Sequence, residues 1–545
     1  MSRSQSFRNL LRAMQVVHNC EERQLSTPEA IARLAASETR AAERRFGRRE
    51  FLAGAGKLAA LGAAGTAIVP MRRALAAQPP SVNVGIVGAG LAGLACADEL
   101  KGKGVLATIY EAGTRFGGRC FSLGGAFPGP VEFPGQVAER GGEFIDTAHK
   151  TMLGYAQKLD LAREDVGKEP GEIFYFFDGQ LHPESKVVDE YRALVAAMRD
   201  DLRTIGEPTA DSYTPAEVAL DNTSLEEYLD TRGAGPIAKA AITEAYVAEY
   251  GLEPSGQSCL SFLLFIHADR RSKFTPFGVS SDERYHLIGG NEQIPAGLAR
   301  RLAGQLRPEM KLIRVRKTAA ERIELTFENG SRTISRVHDA VVLALPFSTL
   351  RDVTLDASLA LPDWKLFAIQ ELRYGTNAKM MVGFATRPWA ELGSSGSSYS
   401  DLANHQTTWE TNPSQATTTR AILTDYSGGV RGARLDPNNV QQEASLFLQD
   451  LDLAFPGALA AATRDEQGRF LAHLEHWPSN PLSKGSYTAN HPGYFTTIAE
   501  NEAKPVGSLY FAGEHTSSFY EWQGFMEGAA LSGRRAAAEI LRDFR

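Results

Sequence analysis

The sequence predicts an α/β protein in which a Rossmann-like domain on a parallel sheet is interleaved with a second domain of mixed sheet and helices. An apolar run at 82–87 is followed by a glycine-rich turn, a helical pattern to about Leu100 and a second apolar run at 105–110. Further strand-like runs lie at 341–345 and 508–511, after a long helical stretch. Strands of one sheet are therefore expected from distant parts of the chain.

The composition is that of a folded chain long enough to bury several cores. Of 545 residues, 43% are hydrophobic and 23% are charged, as in globular proteins. The net charge is −7, although residues 1–76 carry 13 Lys/Arg against 6 Asp/Glu. Since phosphate backbones require a basic footprint, the acidic body argues against nucleic acid as a partner. The four scattered cysteines exclude a disulfide framework and a zinc site.

The glycine-rich turn predicts a dinucleotide site. Gly88 suits a tight turn, Gly90 a close approach of the backbone to a diphosphate, and Gly93 close packing of helix on strand. The following helix begins at the turn, and its positive end attracts phosphate. Glu111 ends the second strand-like run, where an acid accepts hydrogen bonds from a ribose.

Four further segments carry a family resemblance. They are 113–119 (GTRFGGR), 139–143 (ERGGE), 508–515 (SLYFAGEH) and 522–529 (WQGFMEGA). They resemble the flavin-binding segments of the monoamine oxidase, polyamine oxidase and L-amino-acid oxidase superfamily. Over about residues 80–545 the chain resembles a bacterial flavin monoamine oxidase, which implies an FAD-binding domain and a substrate domain.

The resemblance implies FAD as the cofactor. Glu514 would hold its ribityl or diphosphate part, Gly524 would allow close approach to the ring, and the helix from Met526 would direct its positive end at the flavin. Ser486 stands where mammalian monoamine oxidases carry a flavin-linked cysteine, so the FAD is expected to be noncovalent. The full predicted cofactor set is Gly88, Gly90, Gly93, Glu111, Arg115, Gly118, Arg119, Gly142, Glu143, Gly513, Glu514, Gly524 and Met526.

The same resemblance implies a catalytic set. Lys379 would hold a water near flavin N5 and assist the reaction with oxygen. Trp477 would pack on the flavin and Tyr487 would face the substrate. Phe525 stands where those enzymes have a second tyrosine, so the predicted aromatic cage is Tyr487 with Phe525, joined by Trp522.

These residues imply an amine oxidase. Hydride transfer to flavin N5 would convert the amine to an imine, which hydrolyses to a carbonyl compound and ammonia, while O₂ becomes H₂O₂. Phe144 stands roughly where snake-type L-amino-acid oxidases supply a carboxylate-binding arginine, which favours amines, although Arg373 is another candidate for that role. An L-amino-acid oxidase, an amine dehydrogenase with another electron acceptor, and a noncatalytic flavoprotein stay as alternatives. A homodimer is one open possibility.

The N-terminal segment 1–76 predicts export. A twin-arginine pair at Arg48-Arg49 precedes an Ala/Gly-rich run at 53–70 and an A-x-A-like cleavage site at 74–76. This order is typical of a Tat signal, with a periplasmic or secreted product. A membrane anchor is the alternative, but the run is weakly apolar and contains Lys57.

The signatures divide the chain into discontinuous domains. The FAD-binding domain is expected at 80–150, 280–360 and 481–545, and the substrate domain at 151–279 and 361–480. Helices are expected at 221–232 and 237–250, and surface loops in the Ser/Thr/Gly-rich stretch 391–420. His473 and His476 have the spacing of one helix face, but no third ligand follows, so no metal site is expected.

Overall fold

The computed structural model describes residues 16–17, 20, 25–32, 82–124, 133–166, 171–266, 283–411 and 420–544. The predicted export signal at 48–76 lies outside these residues. Across the described ranges, no helix combines the length and the apolar character needed to cross a bilayer. No group of three or more potential metal-ligating side chains occurs in the same ranges.

The strands, in chain order, are β1 Val84–Val87, β2 Ala107–Tyr110, β3 Ser122–Leu123, β4 Ala138–Glu139, β5 Arg163–Asp165, β6 Glu172–Phe177, β7 Gln180–His182, β8 Tyr285–Leu287, β9 Leu306–Arg307, β10 Lys311–Lys317, β11 Ile323–Asn329, β12 Arg332–His338, β13 Ala340–Leu343, β14 Thr354–Leu355, β15 Arg373–Tyr374, β16 Ala378–Phe384, β17 Ser394–Ser400, β18 Thr407–Glu410, β19 Ala421–Ser427, β20 Ala472–His476, β21 Thr488–Ala489 and β22 Leu509–Phe511.

The α-helices are Leu91–Gly102, Lys150–Lys158, Glu184–Thr204, Pro215–Asp221, Leu225–Thr231, Pro236–Tyr250, Cys259–Ile266, Gln293–Arg301, Phe347–Leu350, Asp363–Glu371, Pro388–Glu391, Gly429–Arg434, Val440–Ala454, Ala458–Ala461, Tyr494–Thr497 and Met526–Asp543. The expected helix at 221–232 is two helices instead. The Ser224 side chain caps the second one by accepting a hydrogen bond from the Glu227 amide, and this interrupts the run.

A five-stranded parallel sheet in the order β22-β13-β1-β2-β9 forms the first layer, and the predicted α/β fold is confirmed. β1 is buried throughout, as expected for a parallel strand covered on both faces. The C-terminal helix Met526–Asp543 packs on helix Leu91–Gly102. A Cβ on Gly533 would lie 2.1 Å from the carbonyl oxygen of Ala92, so this glycine permits the close approach.

The second layer is a mixed seven-stranded sheet in the order β20-β16-β19-β18-β17-β6-β7. Its apolar face packs against helix Val440–Ala454 through side chains such as Met380, Leu423 and Phe447. The predicted domain limits stay a prediction.

The Ser/Thr-rich stretch corrects one expectation. Instead of surface loops, β17 and β18 are buried strands of the seven-stranded sheet. Their hydroxyls bond within the sheet: Ser398 Oγ lies 2.7 Å from His405 Nε2 and 2.6 Å from Thr408 Oγ1. Satisfied hydroxyls can be buried at little cost, so polarity alone misled the prediction. His473 and His476 likewise lie on strand β20, not on a helix.

Residues before the predicted signal also belong to the fold. Val16, Val17 and Ala30 are buried in the main hydrophobic core, at 0%, 1% and 0% exposure. Thr27 hydrogen-bonds with Asp189 on helix Glu184–Thr204. This part of the N-terminal extension therefore packs against helix Glu184–Thr204.

Candidate active site

A cavity of about 630 Å³ opens between the carboxyl edge of the parallel sheet and the seven-stranded sheet. Val87, Ala344 and Gly513, at or beyond the ends of parallel strands, line one side, and Lys379 and Trp409 line the other. Ligands of open α/β folds bind at this edge, and the volume is in the range of cofactor and small-molecule sites.

The cavity collects residues from both ends of the chain. Of the predicted site residues, those that line it are Gly88, Gly90, Glu111, Arg115, Gly118, Arg119, Gly142, Glu143, Lys379, Trp477, Tyr487, Gly513, Glu514, Gly524, Phe525 and Met526. Gly93 does not line the cavity, and it has the packing role expected of the third glycine. A Cβ there would lie 2.0 Å from the Gly88 carbonyl oxygen.

Trp522 corrects the predicted aromatic cage. It is not among the lining residues, because its indole packs edge-on against His149 at 4.5 Å and against Phe525 at 5.6 Å between ring centroids. Burial holds the pKa of His149 well below its usual range, so this histidine is neutral. Trp522 therefore packs against Phe525 and His149 instead of lining the cavity.

The glycine turn after β1 forms the nucleotide end of the cavity. Gly88 has φ +102°, and a Cβ there would lie 2.4 Å from the Ala344 carbonyl oxygen. Glu111 closes the turn: Ala89 N donates to Oε2 at 2.8 Å and Gly113 N donates to Oε1 at 2.9 Å. Burial raises the pKa of Glu111.

Two helices begin at this cavity with no side-chain cap. Gly90 precedes helix Leu91–Gly102, and Phe525 precedes helix Met526–Asp543. The first-turn amides and the positive helix ends are therefore available to an anion in the cavity. The arrangement fits the two phosphates and the electron-rich ring edge of a flavin dinucleotide.

An ion pair joins the two sequence signatures. Arg119 Nη1 donates to Glu514 Oε1 at 2.8 Å and to the Ser486 carbonyl oxygen at 2.8 Å. Thr488 Oγ1 donates to the other carboxylate oxygen of Glu514 at 3.0 Å. Arg115 lies over the ring of Phe121, with 3.9 Å from Cζ to the ring centroid. These contacts fix the basic segment along the wall where the diphosphate of a dinucleotide would lie.

Lys379, on β16, is 4% exposed and its ammonium binds three protein oxygens. Nζ donates to the carbonyl oxygens of Glu139 at 2.9 Å and Gly141 at 3.0 Å, and to Glu143 Oε2 at 2.6 Å. An ammonium has three donors, and all three are used here. In this arrangement Lys379 anchors the 139–143 segment, and its water-holding role stays a prediction.

Aromatic side chains form one wall of the cavity, here called the aromatic wall: Phe144, Trp409, Tyr426 and Tyr487. The first three pack in series, with centroid distances of 6.2 Å and 5.6 Å. The Tyr426 and Tyr487 hydroxyls lie 2.8 Å apart, and Tyr487 also donates to the Glu249 carbonyl oxygen at 2.7 Å. Both rings are thereby held in fixed orientations.

Trp477 and Arg140 also line the cavity. Trp477 Nε1 donates to the Arg140 carbonyl oxygen at 3.0 Å, and a Cβ on Gly141 would lie 3.2 Å from the indole. The Arg140 guanidinium pairs with Glu475. Burial alone would raise the pKa of Glu475, but His473 and Arg140 lower it, which keeps this carboxyl ionised.

Sequence reasoning missed Trp409 and Tyr426. They lie on β18 and β19, and Trp409 Nε1 donates to Glu143 Oε1 at 3.0 Å. The β-branched Thr407, Thr408 and Thr411 around Trp409 are a strand signal, but they lie within the stretch assigned to loops. Arg373, the suggested carboxylate ligand, lies on β15 and is not among the residues that line the cavity.

The fold and this cavity define an α/β dinucleotide-binding protein with an aromatic substrate chamber. The family model described as flavin containing amine oxidoreductase matches residues 91–541. The chain therefore belongs to this family: it is an FAD-dependent oxidoreductase that acts on amines.

Two curated relatives are L-amino-acid oxidases by name. The putative L-amino-acid oxidase YobN of Bacillus subtilis (strain 168) is 24% identical over 87% of this chain and 97% of its own length. The L-amino-acid oxidase of Pseudechis australis is 23% identical over 84% of this chain and 86% of its own length.

Solved structures share the fold. Cyclohexylamine oxidase from Brevibacterium oxydans IH-35A aligns with a TM-score of 0.70 and 22% identity, over 85% of this chain and 99% of that one. Wild-type putrescine oxidase bound to putrescine aligns with a TM-score of 0.68 and 20% identity over the same shares. At these identities the likeness shows the fold alone.

Proposed function

We propose that this protein is an FAD-dependent oxidase of amines that carry an apolar substituent and no carboxylate. The products are an imine, which hydrolyses to a carbonyl compound and ammonia, and H₂O₂ from O₂. One observation carries the proposal. Of the cationic side chains that line the cavity, Lys379 and Arg140 each contact a carboxylate of the protein, Glu143 and Glu475. Neither offers an unpaired charge to a substrate carboxylate.

The residues of the chamber bind and orient the substrate. The faces of Trp409, Tyr426 and Tyr487 attract an ammonium group and its apolar neighbours as the substrate enters. Phe144 and Phe525 add apolar surface that excludes water. Rigid orientation matters because a reacting C–H bond must lie within about 3.5 Å of its acceptor.

FAD supplies the two-electron acceptor for the substrate C–H bond and the reductant for O₂. The chain supports noncovalent binding, because Ser486 stands at the position of the linking cysteine and its Oγ donates to Asn377 Oδ1 at 2.5 Å. Glu111, Arg115, Arg119 and Glu514 would hold the dinucleotide, with the amides of both helix ends.

An L-amino-acid oxidase is the second candidate, favoured by the names of the curated relatives. Anaerobic mixing of the holoenzyme with a panel of amines and L-amino acids separates the two. We expect loss of the flavin absorbance with amines alone, and its return with H₂O₂ on admission of air. Bleaching by L-amino acids alone would reverse the assignment, and recovery of colour only with an added acceptor would indicate a dehydrogenase.

Export by the Tat pathway to the periplasm or medium stays a proposal that rests on the sequence order at 48–76. The intact mass of the protein after cell fractionation tests it: cleavage on export predicts a chain that begins after Ala76 and has lost the buried Val16, Val17 and Ala30, so a fractionated protein that keeps them would contradict it. Replacing Arg48 and Arg49 by lysine should retain the protein in the cytoplasm. The homodimer is tested by light scattering of the holoenzyme.

A further inference from the structure

We propose that Glu143 determines substrate specificity by neutralising the Lys379 ammonium, so that the chamber rejects carboxylates and accepts amines. This inference rests on the proposed function. It concerns the buried ion pair between these two side chains. The carboxylate and the ammonium are 3% and 5% exposed, and both residues line the cavity.

The geometry makes Glu143 the partner of two chamber residues at once. Its Oε2 accepts from Lys379 Nζ at 2.6 Å, and its Oε1 accepts from Trp409 Nε1 at 3.0 Å. Both carboxylate oxygens are therefore engaged within the protein. The Lys379 Nζ lies 5.8 Å from the centroid of Trp409 and 5.9 Å from that of Tyr426, so its charge faces the aromatic wall where a substrate would lie.

Removing the negative charge would leave a cation in the chamber. Lys379 would keep two neutral carbonyl acceptors, those of Glu139 and Gly141. The nearby Glu139 carboxyl does not replace Glu143, because it accepts from Ser122 Oγ and the Asn291 amide, and burial raises its pKa to about 7. His286 behind it is paired with Glu164. An uncompensated ammonium in a poorly solvated chamber attracts carboxylates and repels protonated amines.

The Glu143→Gln variant tests the inference, because it removes the charge and keeps the shape of the side chain. Benzoate, an aromatic carboxylate, is titrated into the oxidised holoenzyme and its Kd is read from the shift of the flavin spectrum. We expect the benzoate Kd to fall at least tenfold relative to wild type. The KM of the best amine should rise at least tenfold.

Glu410→Gln is a matched control. Glu410 is buried on β18, next to Trp409, and its carboxylate accepts from Arg387 Nε at 2.8 Å and from Trp389 Nε1 at 3.2 Å. It thus has the same kinds of partner as Glu143, but it does not line the cavity. We expect the benzoate Kd and the amine KM of Glu410→Gln to stay within twofold of wild type. Glu143→Asp, which keeps the charge, should retain weak benzoate binding.

A Glu143→Gln protein whose benzoate Kd and amine KM both stay within threefold of wild type would overturn the inference. An equal change in Glu410→Gln would also overturn it, because the effect would then be one of general destabilisation. If Glu143→Gln does not retain FAD, the Lys379→Gln variant is measured instead. It leaves the Glu143 charge without its cation, so it must bind benzoate at least tenfold more weakly than wild type. A wild-type enzyme that no amine reduces refutes the proposed function, whereas the benzoate titration still tests the charge pair.

Discussion

Glu111 is the side chain on which the nucleotide end of the cavity depends most directly. Its two carboxylate oxygens hold Ala89 N at 2.8 Å and Gly113 N at 2.9 Å. These amides belong to the glycine turn and to the basic segment, and both residues are close to or line the cavity. We expect Glu111→Gln to weaken FAD binding, because a glutamine offers one acceptor where the structure requires two.

The magnitude follows from the two hydrogen bonds. Turning the side-chain amide toward one of the backbone amides leaves that buried N–H without an acceptor, at a cost of about 1–3 kcal/mol. The remaining bond changes from a charged to a neutral acceptor, which loses about 1 kcal/mol more. The total of about 2–4 kcal/mol is the upper limit of the loss in cofactor binding, because part of it also destabilises the apoprotein, so the Kd of FAD should rise by up to roughly 700-fold.

The assay is titration of apoprotein with FAD, followed by the quenching of flavin fluorescence. Glu309→Gln serves as control, because Glu309 lies beside the same segment, its amide donates to the Gly113 carbonyl oxygen, and its side chain is exposed. The control should bind FAD like wild type. The reasoning is refuted if Glu111→Gln binds FAD within threefold of wild type while its apoprotein melts at the wild-type temperature.

Three further predictions concern packing, pH and the N-terminal extension. Gly141→Ala should yield protein with less than a tenth of the wild-type flavin content, read from the ratio of flavin to protein absorbance, because its Cβ would lie 1.7 Å from the Arg119 carbonyl oxygen. Gly154→Ala, whose Cβ meets no atom within 4 Å, should retain full flavin content, and equal content in both variants would contradict the clash. Burial raises the pKa of Asp425 from its unfolded value near 3.8 to about 7 in the folded chain. The protonated carboxyl therefore contributes its full stabilisation below the unfolded pKa, and this stabilisation is lost as the pH rises toward 7. In the Asp425→Asn variant, the free energy of unfolding in urea should fall less steeply with pH in this window, by up to about 1.4 kcal/mol per pH unit. An unchanged slope would show that the carboxyl does not titrate there. Removing residues 1–32 should lower the melting temperature by a few degrees, measured by scanning fluorimetry, since Val16, Val17 and Ala30 lose their buried contacts; an unchanged melting temperature would mean that the extension does not stabilise the fold.

The nucleotide end could be predicted because local sequence determines it. Gly88 must adopt φ +102° in a crowded turn, and Gly93 must lie against the Gly88 carbonyl, so only glycine fits either position. The second signature at 513–526 is local in the same way: a strand, a turn at Gly513 with φ +136°, and a helix start. Such constraints act over a few residues and remain visible in a single sequence.

The substrate end could be predicted only in part. Tyr487 and Phe525 were found through the resemblance, but Trp522 was assigned to the cage although its indole packs on His149. The direction of a side chain depends on its packing partners, so the neighbouring residues in the sequence do not predict it. Trp409 lies in a strand whose neighbours are serine and threonine, and these hydroxyls can be buried only because β17, β18 and β19 supply their partners.

By itself the sequence determined the dinucleotide-binding fold, because glycines, helix starts and apolar strands are local features of short segments. Through the family resemblance it also indicated the cofactor class and most of the predicted site residues that line the cavity. The tertiary structure alone decided the charge of the substrate chamber. Lys379 and Glu143 lie 236 positions apart in sequence, and their 2.6 Å contact exists only because β16 passes beneath the 139–143 segment. Electrostatic effects depend on the distance between atoms, and that distance is a property of the folded chain.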